Sequence, residues 1–460
     1  MLGYYRLYST IAARKHNRKH SILKARILAR LGWPLLVTLI GLPLLFWILA
    51  EPLGDRFSTT YLTFSSLGRI AGISAMVLFC LNVILTVRLK WVEDIFGGLN
   101  KMYYAHHVIG GISLIVLLAH PLLLALRALT VSKRDAALQL IPFANNLMTT
   151  IGILSLWLFI ALMILTLYIK LPYKTWLLTH KFLGVVLIGI AVHVLLGSND
   201  IRSSVPLKFY SIAILGAAII SFVARTILPN ITARRYDYQL NSSTPLAPNI
   251  VELNLQPLGK RLRPKAGQFV FMAFGGGGFT HEWHPFTIAD YLPDGSFTVI
   301  VKALGEYTSA LIQVAPNLVG YTVGVEGTYG RFTFESFIRK RQVWIGGGIG
   351  ITPFLSMAQQ IPAGYQVDLY YCTHSNSEIV EWSALVESVE RNDGRLRLIP
   401  FVSEKNGQVT ADRITQISGD VSQADILICG PTPMMHGLCD QFVKSGLKRN
   451  QLHTEEFAMS

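Results

Sequence analysis

Six apolar runs crowd the first half of this chain, at about 33–50, 64–87, 104–126, 147–169, 177–197 and 207–228, and none of that length follows. Each is near the ~20 residues a helix needs to cross ~30 Å of hydrocarbon, where every backbone polar group must be satisfied internally. The chain is therefore expected to lie half in lipid and half in water. A mean hydropathy of +0.42, with 51% hydrophobic and 15% charged residues, fits that division. The expected organisation is a basic segment over 1–32, a six-helix membrane domain over 33–230, and two soluble domains over 231–338 and 339–460.

The net charge of +14 would suit a nucleic-acid binder, but the basic residues follow membrane topology instead. Arg6, Arg14, Lys15, Arg18, Lys19, Lys24, Arg26 and Arg30 precede or enter the first run, and no acid appears before Glu51. Arg88, Lys90, Lys101, Lys170, Lys174, Lys181, Arg225, Arg234 and Arg235 fall on the same side. The opposite loops carry only Arg56, Arg127, Lys133, Arg134, Arg202 and Lys208. Both termini and the soluble half are thus expected in the cytoplasm, the membrane being the inner one if the source is bacterial. A mitochondrial transit peptide would also begin Arg-rich and acid-free, but the charge bias accounts for this start without cleavage.

Cys80, Cys372, Cys429 and Cys439 form no CxxC, which argues against a disulfide framework, an iron–sulfur cluster or zinc. His281-Glu282-Trp283-His284 is one residue short of a zinc-protease HExxH and runs into Pro285, which disfavours the helix that motif needs. No EF-hand loop is present, so direct calcium control is not expected.

Two histidine pairs lie inside the apolar runs. His106 and His120 are fourteen residues apart in the third, and His180 and His193 thirteen apart in the fifth. The members of each pair therefore stand roughly 20 Å apart along their helix. One heme near each membrane face, held by one histidine from each helix, is the simplest reading. Two axial imidazoles leave the iron no open position, so such a heme passes electrons rather than binding substrate. A lone membrane histidine is often only a packing hydrogen-bonder, but four at matched depth on two helices argue against that. Fourteen steps return to within about 40° of the same helix face, whereas thirteen miss by about 140°. The fifth helix therefore needs a bend, a local π-turn or long reach. His107 adjoins His106 but lacks the same-face spacing. Arg69, near the outer end of the second run, is an intramembrane charge with a functional role as its default and snorkelling as the alternative.

Over 232–335, alternating stretches such as FVFMAF and FTVIVKAL separated by Gly and Pro predict a small antiparallel barrel. From 341 the pattern becomes strand, glycine loop and helix. Gly346, Gly347, Gly348 and Gly350 follow a buried strand, where glycines let phosphate approach backbone N–H groups or serve tight packing alone. A second strand ends at Cys429-Gly430-Pro431, where a thiol would abut a ligand lying across the sheet's carboxyl edge, or be only a small buried apolar residue.

GGGIGITPF, CGPTPMM and HPFTI behind a six-helix domain with two histidine pairs resemble the ferric reductase and NADPH oxidase superfamily, from about residue 60 to Phe457. The resemblance implies a membrane α-helical domain holding two b-type hemes, followed by a ferredoxin-NADP-reductase-like module of a β-barrel FAD domain and an α/β nucleotide domain. It implies that His284, Pro285, Phe286, Thr287, Lys302, Gly305 and Thr308 hold FAD. Gly346, Gly347, Gly348, Gly350, Thr352 and Pro353, with Cys429, Gly430, Pro431 and Met434, would hold NADPH or NADH. Cys429 would lie at the reacting end, and Phe457 would cover the flavin ring. His106 and His180 would bind the inner heme and His120 and His193 the outer, with Arg69 beside the latter. Leu124 stands where superoxide-forming relatives often carry a further histidine.

Electrons would then pass from cytosolic NAD(P)H through FAD and both hemes to an acceptor outside, dioxygen or alternatively a ferric chelate. A heme protein serving a periplasmic partner would leave the nucleotide domain without purpose. A proton-moving transporter would leave HPFTI and GGGIGITPF unexplained. Thr373, His374 and Ser375 offer a 2′-phosphate little, which leaves NADPH against NADH open, as are the oligomeric state and any protein partner.

Overall fold

The computed structural model of the chain describes residues 28–460 apart from 144–145, 229–233, 277–278, 280–281, 334–335, 338, 380–382, 393 and 457–460. Most of the basic N-terminal segment, His281 and Phe457 lie outside the described residues. The chain divides into a helical unit and a second unit of strands and short helices.

Among the described residues, six helices are long and apolar enough to cross a membrane: Gly32–Ala50, Thr60–Ile84, Leu99–Leu129, Leu147–Leu167, Tyr173–Gly197 and Val205–Thr226. The chain is an integral, multi-pass membrane protein. Polar caps set the starts of the second and fourth of these helices, at Thr60, ahead of the expected 64, and at Leu147, where the run was expected to begin. The Thr59 hydroxyl accepts from the Leu62 N–H and the Asn146 side chain from the Thr149 N–H, which satisfies donors that a helix start leaves unpaired.

The fifth helix is broken at Phe182, into Tyr173–Lys181 and Leu183–Gly197. The Phe182 N–H donates to Thr179 O at 3.1 Å and the Val185 N–H to Phe182 O at 2.9 Å. These i→i−3 bonds advance the chain by about 120° per residue instead of 100°. The break lies between His180 and His193, and it reduces the phase mismatch that their spacing imposes on a straight helix.

In the second unit, β1 (Arg235–Ala247), β2 (Ile250–Pro257), β3 (Phe269–Phe274), β4 (His284–Tyr291), β5 (Phe297–Lys302) and β6 (Thr322–Tyr329) close an antiparallel barrel in the order β1-β2-β5-β4-β3-β6. Alternate residues fill it, among them Leu253, Leu255, Met272, Phe286, Ile288, Val299 and Val325, as a period of two requires. A parallel sheet follows: β7 (Arg341–Gly347), β8 (Gln366–Thr373), β9 (Leu396–Val402), β10 (Asp425–Cys429) and β11 (Leu452–Glu455), ordered β11-β10-β7-β8-β9. Both faces are apolar, with Trp344, Leu369 and Leu427 in one core and Ile345, Ile426 and Phe442 in the other. This is the pattern of a sheet covered on both sides. The order reverses between β7 and β10, which makes their carboxyl ends the switch point where such sheets bind ligands. The helix that opens after β7 is short: a 3₁₀ turn over Gly348–Ile351 and then Thr352–Ala358, buried throughout.

Candidate redox sites

The third and fifth helices bring the four histidines together in two pairs. The rings of His106 and His180 have centroids 6.3 Å apart. The ring of His106 is fixed by Nδ1 lying 3.0 Å from Asn82 O. His180 stacks on Trp176 at 5.1 Å and 15°, and its buried Nδ1 has no hydrogen-bond partner among the described residues. His107 is exposed.

His120 and His193 line one cavity of about 350 Å³. His120 Nδ1 lies 2.7 Å from Gly68 O and His193 Nδ1 2.8 Å from Met148 O. A carbonyl can only accept, so Nδ1 carries the proton in both rings, as in His106, and Nε2 keeps its lone pair. Two glycines the sequence did not single out make room. A Cβ on Gly72 would stand 2.7 Å from His120 Nδ1, and one on Gly152 2.7 Å from His193 Nδ1. A small residue on a neighbouring span was the available signal, but nothing in the sequence aligns one span with another.

Arg69 and Leu124 both line the cavity. Arg69 is not a lone charge: Nη1 donates to Asp200 Oδ1 at 3.0 Å, and Trp47 Nε1 donates to the other oxygen of the same carboxylate at 3.2 Å. Asp200 follows the fifth span and sequence reasoning missed it, since an acid in a loop between spans reads as solvated.

β4 begins at His284 and its antiparallel neighbour β5 ends at Lys302, so the two residues belong to the same end of the barrel. The His284 ring stacks on Tyr307 at 3.6 Å and 23°, with Nε2 3.2 Å from Glu282. Burial lowers the His284 pKa, and the Glu282 hydrogen bond only partly opposes this. Phe286 instead turns into the barrel core beside Phe274, and Thr287 is buried. Thr308 works locally: its hydroxyl accepts from the N–H groups of Leu304 and Gly305 at 3.0 and 3.1 Å, fixing the start of helix Glu306–Val314.

The glycines after β7 divide by role. A Cβ on Gly350 would stand 2.2 Å from Cys429 O, one on Gly347 2.7 Å from Met434 Cε, and one on Gly430 3.0 Å from Gly347 Cα. These residues, with Gly346 against Ile351, let the β7 and β10 loops pack on each other. Gly348 is different. Its φ is +53°, and the nearest atom to an added Cβ is Lys302 Nζ at 4.0 Å. Lys302 has no ion-pair partner among the described residues. Thr352 and Pro353 are buried, the Thr352 hydroxyl donating to Ile349 O at 3.0 Å. Cys429 is fully buried in the core with Ile351 and Phe354, and burial pushes its thiol well above the ordinary range. Pro431 is exposed at the mouth of the same loop.

Past β8, the His374 N–H donates to Glu378 at 3.1 Å, and His374 Nε2 lies 3.6 Å from Glu404. Two carboxylates thus stand beside His374 just past the end of β8.

Residues 71–191 match the family described as ferric reductase like transmembrane component. Residues 238–333 match an FAD-binding domain and 344–440 an oxidoreductase NAD-binding domain. NADPH oxidase 1 of Mus musculus is 25% identical over 34% of this chain and 28% of its own length. The reductase component of propane 2-monooxygenase from Rhodococcus jostii is 25% identical over 46% of this chain and 61% of its own. A superoxide-generating NADPH oxidase heavy chain of Dictyostelium discoideum is 22% identical over 41% of each. The chain thus spans between 28% and 61% of the length of these relatives. A flavohemoglobin structure from Malassezia yamatoensis with bound FAD and heme aligns at 16% identity and a TM-score of 0.48, over 86% of this chain and 97% of that one. With the membrane helices, the barrel and the parallel sheet all in place, the chain joins a ferric-reductase-like transmembrane component to FAD-binding and oxidoreductase NAD-binding domains, which supports the ferric reductase and NADPH oxidase superfamily and an oxidoreductase.

Proposed function

We propose that the chain carries electrons from cytosolic NAD(P)H across the membrane to dioxygen, releasing superoxide, with both termini and the soluble unit in the cytoplasm. The observation that carries this reading is the convergence of two histidine pairs, each drawn from the third and fifth helices. With metal–nitrogen bonds of about 2 Å, two imidazoles facing one iron have centroids just over about 6 Å apart. His106 and His180 stand at 6.3 Å, and the cavity of about 350 Å³ between His120 and His193 leaves room for an apolar macrocycle. Both pairs therefore fit heme b, His106 rather than the exposed His107 serving the first. FAD, when bound, supplies the change from two-electron to one-electron chemistry, and the hemes relay single electrons.

The residues of this chain bind and orient. The carbonyls of Asn82, Gly68 and Met148 hold three imidazoles in the tautomer that presents Nε2 to iron. Lys302, open Gly348 and the Gly305 turn supply cation and backbone donors for pyrophosphate. His284 and Tyr307, stacked on each other, with Pro285 and Thr287 of the strand that begins at His284, would hold the flavin. Pro353, Gly430, Pro431 and Met434, with buried Cys429, would hold the nicotinamide nucleotide. By the resemblance, Phe457, which lies outside the described residues, would cover the flavin ring.

A ferric chelate is the second reading, favoured by Leu124 and by Asp200, which offsets the charge of Arg69. Reduced-minus-oxidised spectra of purified protein test the relay. His106→Leu or His180→Leu, and separately His120→Leu or His193→Leu, should lower heme per protein from about two to about one; a colourless wild-type protein ends the proposal. Superoxide-dismutase-sensitive cytochrome c reduction identifies dioxygen as acceptor. Dismutase-insensitive reduction with fast anaerobic iron turnover would make the chain a ferric reductase.

A further inference from the structure

Two arginines line the cavity between His120 and His193, and they differ in what they have left to offer. Arg69 is 45% exposed and its charge is met by Asp200 at 3.0 Å. Arg127 has a buried Nε with no hydrogen-bond partner among the described residues. Among the described residues it has no ion pair, and its guanidinium stands 5.6 Å above the Tyr61 ring. A buried guanidinium nitrogen without an acceptor is costly unless a ligand supplies one.

Spacing makes Arg127 part of the same site as the histidine. His120, Leu124 and Arg127 fall at i, i+4 and i+7 of the third helix, so they share a face, and Arg127 lies about 10 Å beyond His120 along the axis. Leu124 fills the turn between them. The cavity is thus apolar beside the imidazole and cationic one step further out, where Gln139 adds an uncharged polar group.

We propose that Arg127, not Arg69, is the anion anchor of this cavity, taking a carboxylate of the group or acceptor seated there. A planar guanidinium binds a carboxylate through two parallel hydrogen bonds. The carboxylate has two sources: a propionate of a heme held by His120 and His193, or an arm of an incoming ferric carboxylate chelate. This rests on the heme reading above, and the test separates the two.

Arg127→Gln, Arg127→Lys and Arg69→Gln are compared in the full-length protein in detergent, by heme per protein, by spectroelectrochemical titration, and by KM for ferric citrate. If a propionate is the ligand, Arg127→Gln loses one heme. Alternatively it keeps it with a midpoint lowered by about 60 mV, a tenfold change in a one-electron equilibrium, because the lost cation had favoured the less positive reduced iron. If the chelate is the ligand, heme and midpoint stay and KM for ferric citrate rises about tenfold. In either case Arg127→Lys recovers most of the effect and Arg69→Gln gives the smaller change. Less than a twofold change in all three readouts for Arg127→Gln, or a larger one for Arg69→Gln, overturns the assignment. A wild type without b-type heme defeats the earlier reading instead.

Discussion

Gly72→Ala tests whether the second histidine pair is held as the packing implies. The added Cβ would stand 2.7 Å from Nδ1 and 2.8 Å from Cε1 of His120, where ordinary contact begins at 3.4 Å. The ring has to withdraw, and the 2.7 Å hydrogen bond to Gly68 O goes with it. Overpacking costs about 1–3 kcal/mol and the lost hydrogen bond about 1 kcal/mol. Alanine in a helix interior is favoured over glycine by about 1 kcal/mol, so the opposing terms leave about 1–3 kcal/mol against the native ring position. That is roughly a 5- to 150-fold weakening of whatever His120 ligates. Gly152→Ala should act alike through His193, 2.7 Å from its added Cβ, whereas Gly41 and Gly111 have nothing within 4 Å. The assay is heme titration of purified apoprotein, followed by the visible spectrum. Gly72→Ala and Gly152→Ala should each weaken one of two heme sites, with Gly41→Ala and Gly111→Ala matching wild type. Unchanged affinity at both sites in the first two variants would refute the argument.

Three further outcomes are expected. Burial pushes the Asp425 carboxyl up, but hydrogen bonds from His453 and Arg339 outweigh it and hold its pKa below the ordinary value. Its contribution to stability is therefore complete above the unfolded carboxyl's pKa and lost as pH falls through the lower folded value. Asp425→Asn should cost about 3–5 kcal/mol at pH 7 and flatten the acid limb of a thermal-melting profile; an acid limb as steep as wild type contradicts this. Ending the chain after Glu456 removes Phe457 and should loosen nucleotide preference, read as the ratio of NADPH to NADH kcat/KM; identical kinetics with both would remove Phe457 from the proposal. Glu378→Gln with Glu404→Gln should raise NADPH kcat/KM about tenfold while NADH changes little, since like charges repel a 2′-phosphate; stopped-flow flavin reduction checks it, and an equal rise for both nucleotides contradicts it.

The six spans were legible because bilayer thickness imposes a length that composition alone reveals. The barrel and the parallel sheet were legible because a period of two and strands buried on both faces leave different patterns in sequence. The histidine spacing also exposed a conflict: thirteen residues do not return to one face of a straight helix, so a distortion was required. Only the structure located it at Phe182. What stayed hidden depended on residues far apart in the chain meeting in space. Asp200 meets Arg69 across 131 positions, and Gly72 and Gly152 face rings on other helices. The glycine loop shows the same limit on a smaller scale. Its glycines look equivalent as letters, but contact with Cys429, Gly430 and Met434 commits Gly347 and Gly350 to packing and leaves Gly348 open. A sequence records which side chains are available and at what local period. Which charge is neutralised, and which glycine faces empty space, is decided when separate segments pack.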